Sequence, residues 1–101
     1  MSKHESFDSL INCDVPVLVD FHATWCGPCK TLAPILEQVK RTLGNSIKII
    51  KIDIDKNPVL ASNLNVSGVP TLMVFKGGKL TARKSGVIPA QEIIRLIQTG
   101  A

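Results

Sequence analysis

The sequence contains few cysteines and few aromatic residues, and it has no long apolar run. Its 101 residues include three cysteines, one tryptophan, three phenylalanines and no tyrosine. Three cysteines are too few for the disulfide scaffold that small secreted domains use in place of a core. No stretch approaches the roughly 20 apolar residues that a membrane-spanning helix needs. We therefore expect a single domain over residues 1–101, with its own hydrophobic core and no membrane association.

The N-terminal segment lacks the apolar h-region of a secretory signal peptide, because residues 1–10 are mostly polar. This absence predicts a cytoplasmic, reducing setting. In such a compartment a closely spaced pair of cysteines is expected to be catalytic rather than structural.

The net charge of +4 comes from dispersed lysines and arginines, with a denser group near the C-terminal third. That group consists of Lys76, Lys79, Arg83 and Lys84. Basic groups of this kind can bind acidic partners or nucleic acid. However, no aromatic side chains alternate with these charges, as they do on surfaces that stack bases. The pattern favours a solvated hairpin, and we expect no nucleic-acid partner.

The most informative motif is Cys26-Gly27-Pro28-Cys29, which follows an apolar run and precedes a helical pattern. On a helix, residues three apart have Cβ atoms about 5–6 Å apart, whereas a disulfide needs about 3.5–4.5 Å. A small adjustment therefore lets the pair close and open again. A helix beginning at Cys26 also favours a thiolate there, so we expect Cys26 to have the exposed, reactive sulfur. Pro28 is tolerated because it falls in the first turn.

A single C-x-x-C motif is also compatible with half of a zinc site. Here no second pair exists, and His4 and His22 show no ligand spacing, so we predict no metal. The position between a strand and a helix favours redox chemistry. Cys13 is either a third redox thiol or a small, partly buried apolar residue, and the second interpretation is preferred.

The hydrophobic pattern predicts an α/β domain. Strands at residues 15–23 and 47–53, joined by a helix at 26–43, form a right-handed crossover with parallel strands. The remaining elements are helices at 6–12, 57–65 and 90–99 and a hairpin of strands at 71–75 and 80–84.

Asp20 interrupts the first apolar strand, six residues before Cys26. A carboxylate at such a position is either a paired structural ion or an acid–base group, and incomplete pairing would raise its pKa. We favour the acid–base role because the cysteines are near. Lys51, in the neighbouring predicted strand, can approach Asp20.

Four motifs together resemble those of the thioredoxin family, over roughly residues 6 to 99. In chain order they are Val19 to Lys30, Lys51-Ile52-Asp53, Gly68-Val69-Pro70-Thr71 and Gly86. The resemblance implies the thioredoxin fold, with a central mixed sheet flanked by four helices. The short, polar segment before Ser6 lacks strand character, so about four strands are expected and the family's first strand is missing or vestigial.

The resemblance also implies a role for each residue of the motifs. Cys26 is the attacking nucleophile, Cys29 the resolving thiol, and the two form the redox disulfide. Asp20 is the proton acceptor for Cys29, and Lys51 tunes Asp20. Pro70 matches a cis-proline that faces the disulfide. The implied substrate-binding patch consists of Trp25, Gly27, Pro28, Gly68, Val69, Pro70 and Gly86.

The implied function is protein-disulfide reduction by a monomer without a bound cofactor. Electrons come from NADPH through a flavin-containing thioredoxin reductase, and the other partners are disulfide-containing proteins. The alternative is a binding subunit of a larger assembly, in which the redox chemistry is dispensable. His22 departs from the family pattern, since its position is often aromatic; it either tunes the nearby thiol or is a partly exposed bystander.

Overall fold

The computed structural model describes residues 3–100, and the side chains of residues 7–100. The helices are α1 (Lys3–Ile11), α2 (Gly27–Leu43), α3 (Pro58–Asn63) and α4 (Ala90–Thr99), and a 3-10 turn spans Gly44–Ser46. The strands are β1 (Val17–His22), β2 (Lys48–Asp53), β3 (Thr71–Lys76) and β4 (Lys79–Ser85).

The four strands form one mixed sheet in the order β2-β1-β3-β4. β1 pairs in parallel with β2 and antiparallel with β3, and β3 pairs antiparallel with β4. The parallel β1–α2–β2 crossover and the four-strand, four-helix composition confirm the fold predicted from the sequence. Residues 3–11 form a helix, so within the described residues no strand precedes β1, as the sequence predicted. Met1 and Ser2 lie outside the described residues.

β1 is covered on both faces, as its nearly continuous apolar sequence predicts. Val17, Val19 and Phe21 belong to a core shared with α1 and α3. Leu18 points the other way, into a second core that α2 and α4 complete. Burying each such side chain stabilises the fold by about 1.5–3 kcal/mol. Asp20 shares the Leu18 face, because side chains alternate along a strand, and it therefore points towards α2.

α2 packs on the sheet through a stripe formed by Leu32, Leu36 and Val39. Its C-terminus is capped by Gly44, whose φ of 56° is a conformation that glycine adopts without strain and whose N–H donates to the Lys40 carbonyl. The Lys40 ammonium donates to the carbonyls of Gly44 and Ile47, at 2.8 and 2.9 Å. These contacts connect the end of α2 to the start of β2.

Several element ends differ from the predicted ones. β1 begins at Val17 rather than at residue 15, and Pro16 just before it has no amide hydrogen to offer a strand ladder. α3 ends at Asn63, because Asn65 has a φ of 57° that no helix can continue. α2 begins at Gly27, which leaves Cys26 as its N-cap.

Candidate redox site

Cys26 and Cys29 form a disulfide at the N-terminus of α2, with their Cα atoms 5.3 Å apart. Cys26 has an extended backbone, with φ −89° and ψ 111°, and Cys29 lies in the first helical turn. The Cys29 N–H donates to Cys26 Sγ at 3.1 Å. This amide is one of those that a helix start leaves without a partner. The sulfur of Cys26 therefore lies where a donor and the helix dipole both favour negative charge.

The expectation that Cys26 has an exposed sulfur is wrong for this disulfide form. Cys26 is only 3% exposed and Cys29 7% exposed. The cause is packing by residues remote in sequence: Ala23, Ile54 and Val69 all contact the pair. A pattern confined to the local helix start carries no information about these neighbours.

Asp20 is buried behind the disulfide with 4% of its surface exposed. Its Oδ1 atom has no hydrogen-bond partner among the described residues. Removal from water raises the pKa of this carboxyl above its ordinary value, and the positive charges of His22 and Lys51 oppose that rise. A buried carboxyl with a vacant acceptor atom and a raised pKa is suited to accepting a proton, because the raised pKa makes its carboxylate a stronger base.

Asp20 and Cys29 both line a cavity of about 210 Å³. Its walls include Asp20, His22, Cys29, Lys30 and Lys51. Lys51 is the β2 register partner of Asp20 but is itself exposed. Within residues 3–100 the two side chains form no ion pair. The positive charge of Lys51 thus opposes the raised pKa of Asp20 without an ion pair between the two side chains.

The residues of the implied substrate patch lie beside the cysteines in the chain or belong to the segment of Val69, which packs against the disulfide, or are bonded to that segment. Trp25 is 68% exposed, and Gly27, Pro28 and Gly68 are also exposed. Val69 is half-buried and packs against the cysteine pair. The Val69–Pro70 peptide bond is cis.

The glycines of this patch differ in what the fold requires of them. Gly86 has a φ of 96°, where a larger residue is strained, and its N–H donates to the Pro70 carbonyl at 2.9 Å. Gly68 has no such φ, and a Cβ placed on it would meet nothing within 4 Å. Within the described chain, the fold explains a glycine at position 86 but not at position 68.

The sequence reasoning missed one residue of the site, Asp55. The Trp25 indole N–H donates to Asp55 Oδ2 at 2.8 Å. Asp53 orders this loop, since its Oδ1 accepts the N–H groups of Asp55 and Lys56 at 2.8 and 3.3 Å. Trp25 and Asp55 are 30 residues apart in the chain. No periodicity or motif links such a pair, so no sequence signal was available to find it.

The other candidates lie away from this site. Cys13 is a free, partly buried thiol beside the α1–α3 core. In the basic hairpin, Arg83 donates to the carbonyls of Leu64 and Asn65, each at 2.6 Å, so this cation connects β4 to the loop after α3.

Residues 3–100 contain no group of three or more side chains arranged to hold a metal ion. In the same range, no helix is long and apolar enough to cross a bilayer.

The fold and the site define a small dithiol–disulfide domain: a mixed sheet carries a cysteine pair at a helix start, with a buried carboxyl behind it. Comparison with known proteins agrees, since the thioredoxin family model matches residues 1–99. The chain belongs to the thioredoxin family.

Two relatives and one solved structure illustrate the match. The chain is 48% identical over 94 residues to chloroplastic thioredoxin Y2 of Arabidopsis thaliana, covering 92% of this chain and 56% of the relative. It is 43% identical over 95 residues to chloroplastic thioredoxin Y of Oryza sativa subsp. japonica, covering 93% and 56%. The crystal structure of chloroplastic thioredoxin z superposes with a TM-score of 0.85 at 35% identity, covering 99% of this chain and 90% of that one.

These comparisons correct one prediction. The cytoplasmic setting is wrong, because the relatives named above are chloroplastic proteins. The prediction rested on the missing h-region, which tests only for a secretory signal; organelle-targeting segments have a different composition. The chain spans little more than half the length of these chloroplastic relatives. The alternative of a redox-dispensable binding subunit is not favoured, since the relatives are thioredoxins and the cysteine pair is present.

Proposed function

We propose that this chain, acting as one domain and as a monomer, is a protein-disulfide reductase that works through Cys26 and Cys29. The observation that carries the proposal is the closed Cys26–Cys29 ring at the start of α2, beside the buried Asp20 carboxyl, whose Oδ1 has no hydrogen-bond partner within residues 3–100. A ring of this size opens and closes with little movement of the fold. The chemistry needs no bound cofactor, because two thiols hold the electron pair.

The first step is attack by the Cys26 thiolate on a sulfur of the substrate disulfide. A bond forms between the two sulfurs, and the other substrate sulfur leaves as a thiolate with its electron pair. The helix start and the Cys29 N–H stabilise the negative charge of Cys26 before attack. The product is a mixed disulfide between Cys26 and the substrate.

In the second step Cys29 resolves the mixed disulfide. Its thiol proton passes to the Asp20 carboxylate, and its sulfur bonds to Cys26 Sγ. The bond between Cys26 and the substrate breaks, and the substrate leaves as a thiolate that takes a proton from water. The substrate is reduced by two electrons and the cysteine pair is oxidised. In this scheme Lys51 adjusts how readily Asp20 accepts the proton.

The surface around the disulfide supports binding of an extended peptide. The exposed Trp25 ring offers apolar area, and Gly27 and Pro28 leave the approach to the sulfur open. The space beside Gly68, where a side chain would lie, is open, and it adjoins the half-buried Val69 and Pro70. Gly86 holds the Pro70 loop in place. An extended segment lying here can make backbone contacts while its disulfide faces Cys26.

The oxidised pair must be reduced again. We propose that NADPH supplies the electrons through a flavin-containing thioredoxin reductase, and that the other partners are proteins with accessible disulfides. The chloroplastic names of the relatives support a plastid-type setting.

The proposal is tested by reduction of insulin disulfides with a dithiol as electron source. Wild type and Cys13→Ser are expected to accelerate insulin reduction equally, whereas Cys26→Ser should be inactive. Equal activity of Cys26→Ser and wild type would refute the proposal. Replacing the dithiol with NADPH and a flavin-containing thioredoxin reductase tests the electron source separately.

A further inference from the structure

His22 lies in the same cavity as the two groups that exchange a proton in the resolving step. It is the last residue of β1, and side chains two residues apart share one face of a strand. His22 and Asp20 therefore point to the same side, towards α2. Both line the cavity of about 210 Å³ that also contains Cys29.

The backbone of His22 is held by a hydrogen bond, while its side chain keeps some exposure to water. Its carbonyl accepts the Ile54 N–H at 2.9 Å, which holds the end of β1. Its side chain is half-buried, whereas Asp20 is almost fully buried. His22 therefore reaches water from the cavity that Asp20 also lines, and its positive charge opposes the raised pKa of Asp20.

Other charged groups face the cavity from the neighbouring elements. Lys51 comes from β2, and Lys30 comes from α2 together with the Cys29 thiol. Asp53 is the β2 register partner of His22, but its Oδ1 is occupied by the N–H groups of Asp55 and Lys56. Of these cavity cations, His22 opposes the raised pKa of Asp20 most strongly.

We propose that His22 is a positioning residue for the resolving step: its imidazole places positive charge on the wall of the Asp20–Cys29 cavity and so helps to set the pH below which resolution slows. This inference rests on the proposed function. The positive charge of the imidazole favours the carboxylate form of Asp20, which is the form that accepts the Cys29 proton. His22 thus extends resolution to lower pH than a neutral residue would allow.

The test uses stopped-flow mixing of the reduced protein with dithiobis(nitrobenzoate), an aromatic disulfide whose released thiolate is coloured. With Cys13 replaced by serine in every protein compared, the first release of thiolate reports attack by Cys26 and the second reports resolution by Cys29. The rate of the second release is measured against pH in wild type, in His22→Gln, which is neutral, and in His22→Lys, which keeps a cation. The matched control is His4→Gln, at the other histidine of the sequence.

In wild type the rate of the second release is expected to fall as the pH is lowered; this fall is the acid limb of the profile. In His22→Gln the acid limb is expected to move to higher pH, so that resolution at these pH values slows severalfold. In His22→Lys the limb should lie at or below its wild-type position, and His4→Gln should match wild type. A shift in His22→Gln that His22→Lys does not share cannot arise from loss of the imidazole alone. Coincident profiles for wild type, His22→Gln and His22→Lys would overturn the inference while leaving the proposed function intact. A wild type that releases no second thiolate would instead refute the proposed function.

Discussion

Asp20→Asn is expected to make the folded protein more stable at neutral pH while slowing the resolving step. Asp20 is 4% exposed, and its Oδ1 has no partner among the described residues. Leaving a buried polar group unsatisfied costs about 1–3 kcal/mol, and more when the group is charged. Asparagine keeps the shape but removes the charge. We therefore expect a gain of about 1–3 kcal/mol in the free energy of unfolding at about pH 8, and each kcal/mol raises the Tm of a domain this size by about 4–8 °C.

The sign of the pH dependence follows from the raised pKa of Asp20 in the folded state. In the unfolded chain an aspartate titrates near about 3.9, so between that value and the higher folded value the native state binds more protons. Wild-type stability therefore falls as the pH rises through this window, and above it the full cost of the buried carboxylate is present. The difference between Asp20→Asn and wild type should be small at about pH 4, near the unfolded pKa, and larger at about pH 8.

Denaturant unfolding of the disulfide form at these two pH values is the measurement. Asp14→Asn is the matched control, because Asp14 is exposed and its replacement should change stability by less than about 0.5 kcal/mol. An Asp20→Asn variant less stable than wild type at about pH 8 would contradict the reasoning. Asp20 would then be a structural anion satisfied by the charges of His22 and Lys51, since removing one partner of a buried ion pair is strongly destabilising.

Two pairs of residues provide further predictions. Gly86→Ala should lower the free energy of unfolding by about 1–2 kcal/mol, because alanine is strained at a φ of 96°. Gly68→Ala should change stability by less than about 0.5 kcal/mol but raise the KM for insulin, and an unchanged KM would argue against a peptide crossing this glycine. Asp55→Ala should free the Trp25 indole at a cost of at most about 1 kcal/mol. Because Trp25 is the single tryptophan, fluorescence anisotropy decay measures its motion directly, and unchanged indole motion would show that the Asp55 contact does not hold the ring.

The parts of the fold and site that were predictable are those encoded by short-range pattern. The alternation of Val17, Val19 and Phe21 with Leu18 indicated a strand covered on both faces, and Asp20 stood out because it broke that pattern. The spacing of Cys26 and Cys29 before a helical stripe indicated a closable ring. In each case the residues that carry the signal are neighbours in the chain as well as in space.

The features that escaped prediction depend on long-range packing. Cys26 is buried because Ile54 and Val69 reach it from other segments, and Trp25 is held by Asp55 across 30 residues. No local periodicity encodes such contacts. The compartment was predicted wrongly for a different reason. The residues that determine the fold of a redox domain are those of its core, and they contain no information about the compartment in which the protein works.

The central claim is that Cys26 attacks and Cys29 resolves, and trapping of the mixed disulfide tests it most directly. Reduced Cys29→Ser and Cys26→Ser variants are each mixed with a peptide disulfide, and the site of the adduct is mapped by mass spectrometry. The account predicts that Cys29→Ser accumulates one peptide thiol on Cys26, whereas Cys26→Ser accumulates none. An adduct that forms mainly on Cys13 of Cys29→Ser, or one that accumulates on Cys29 of Cys26→Ser, would contradict it.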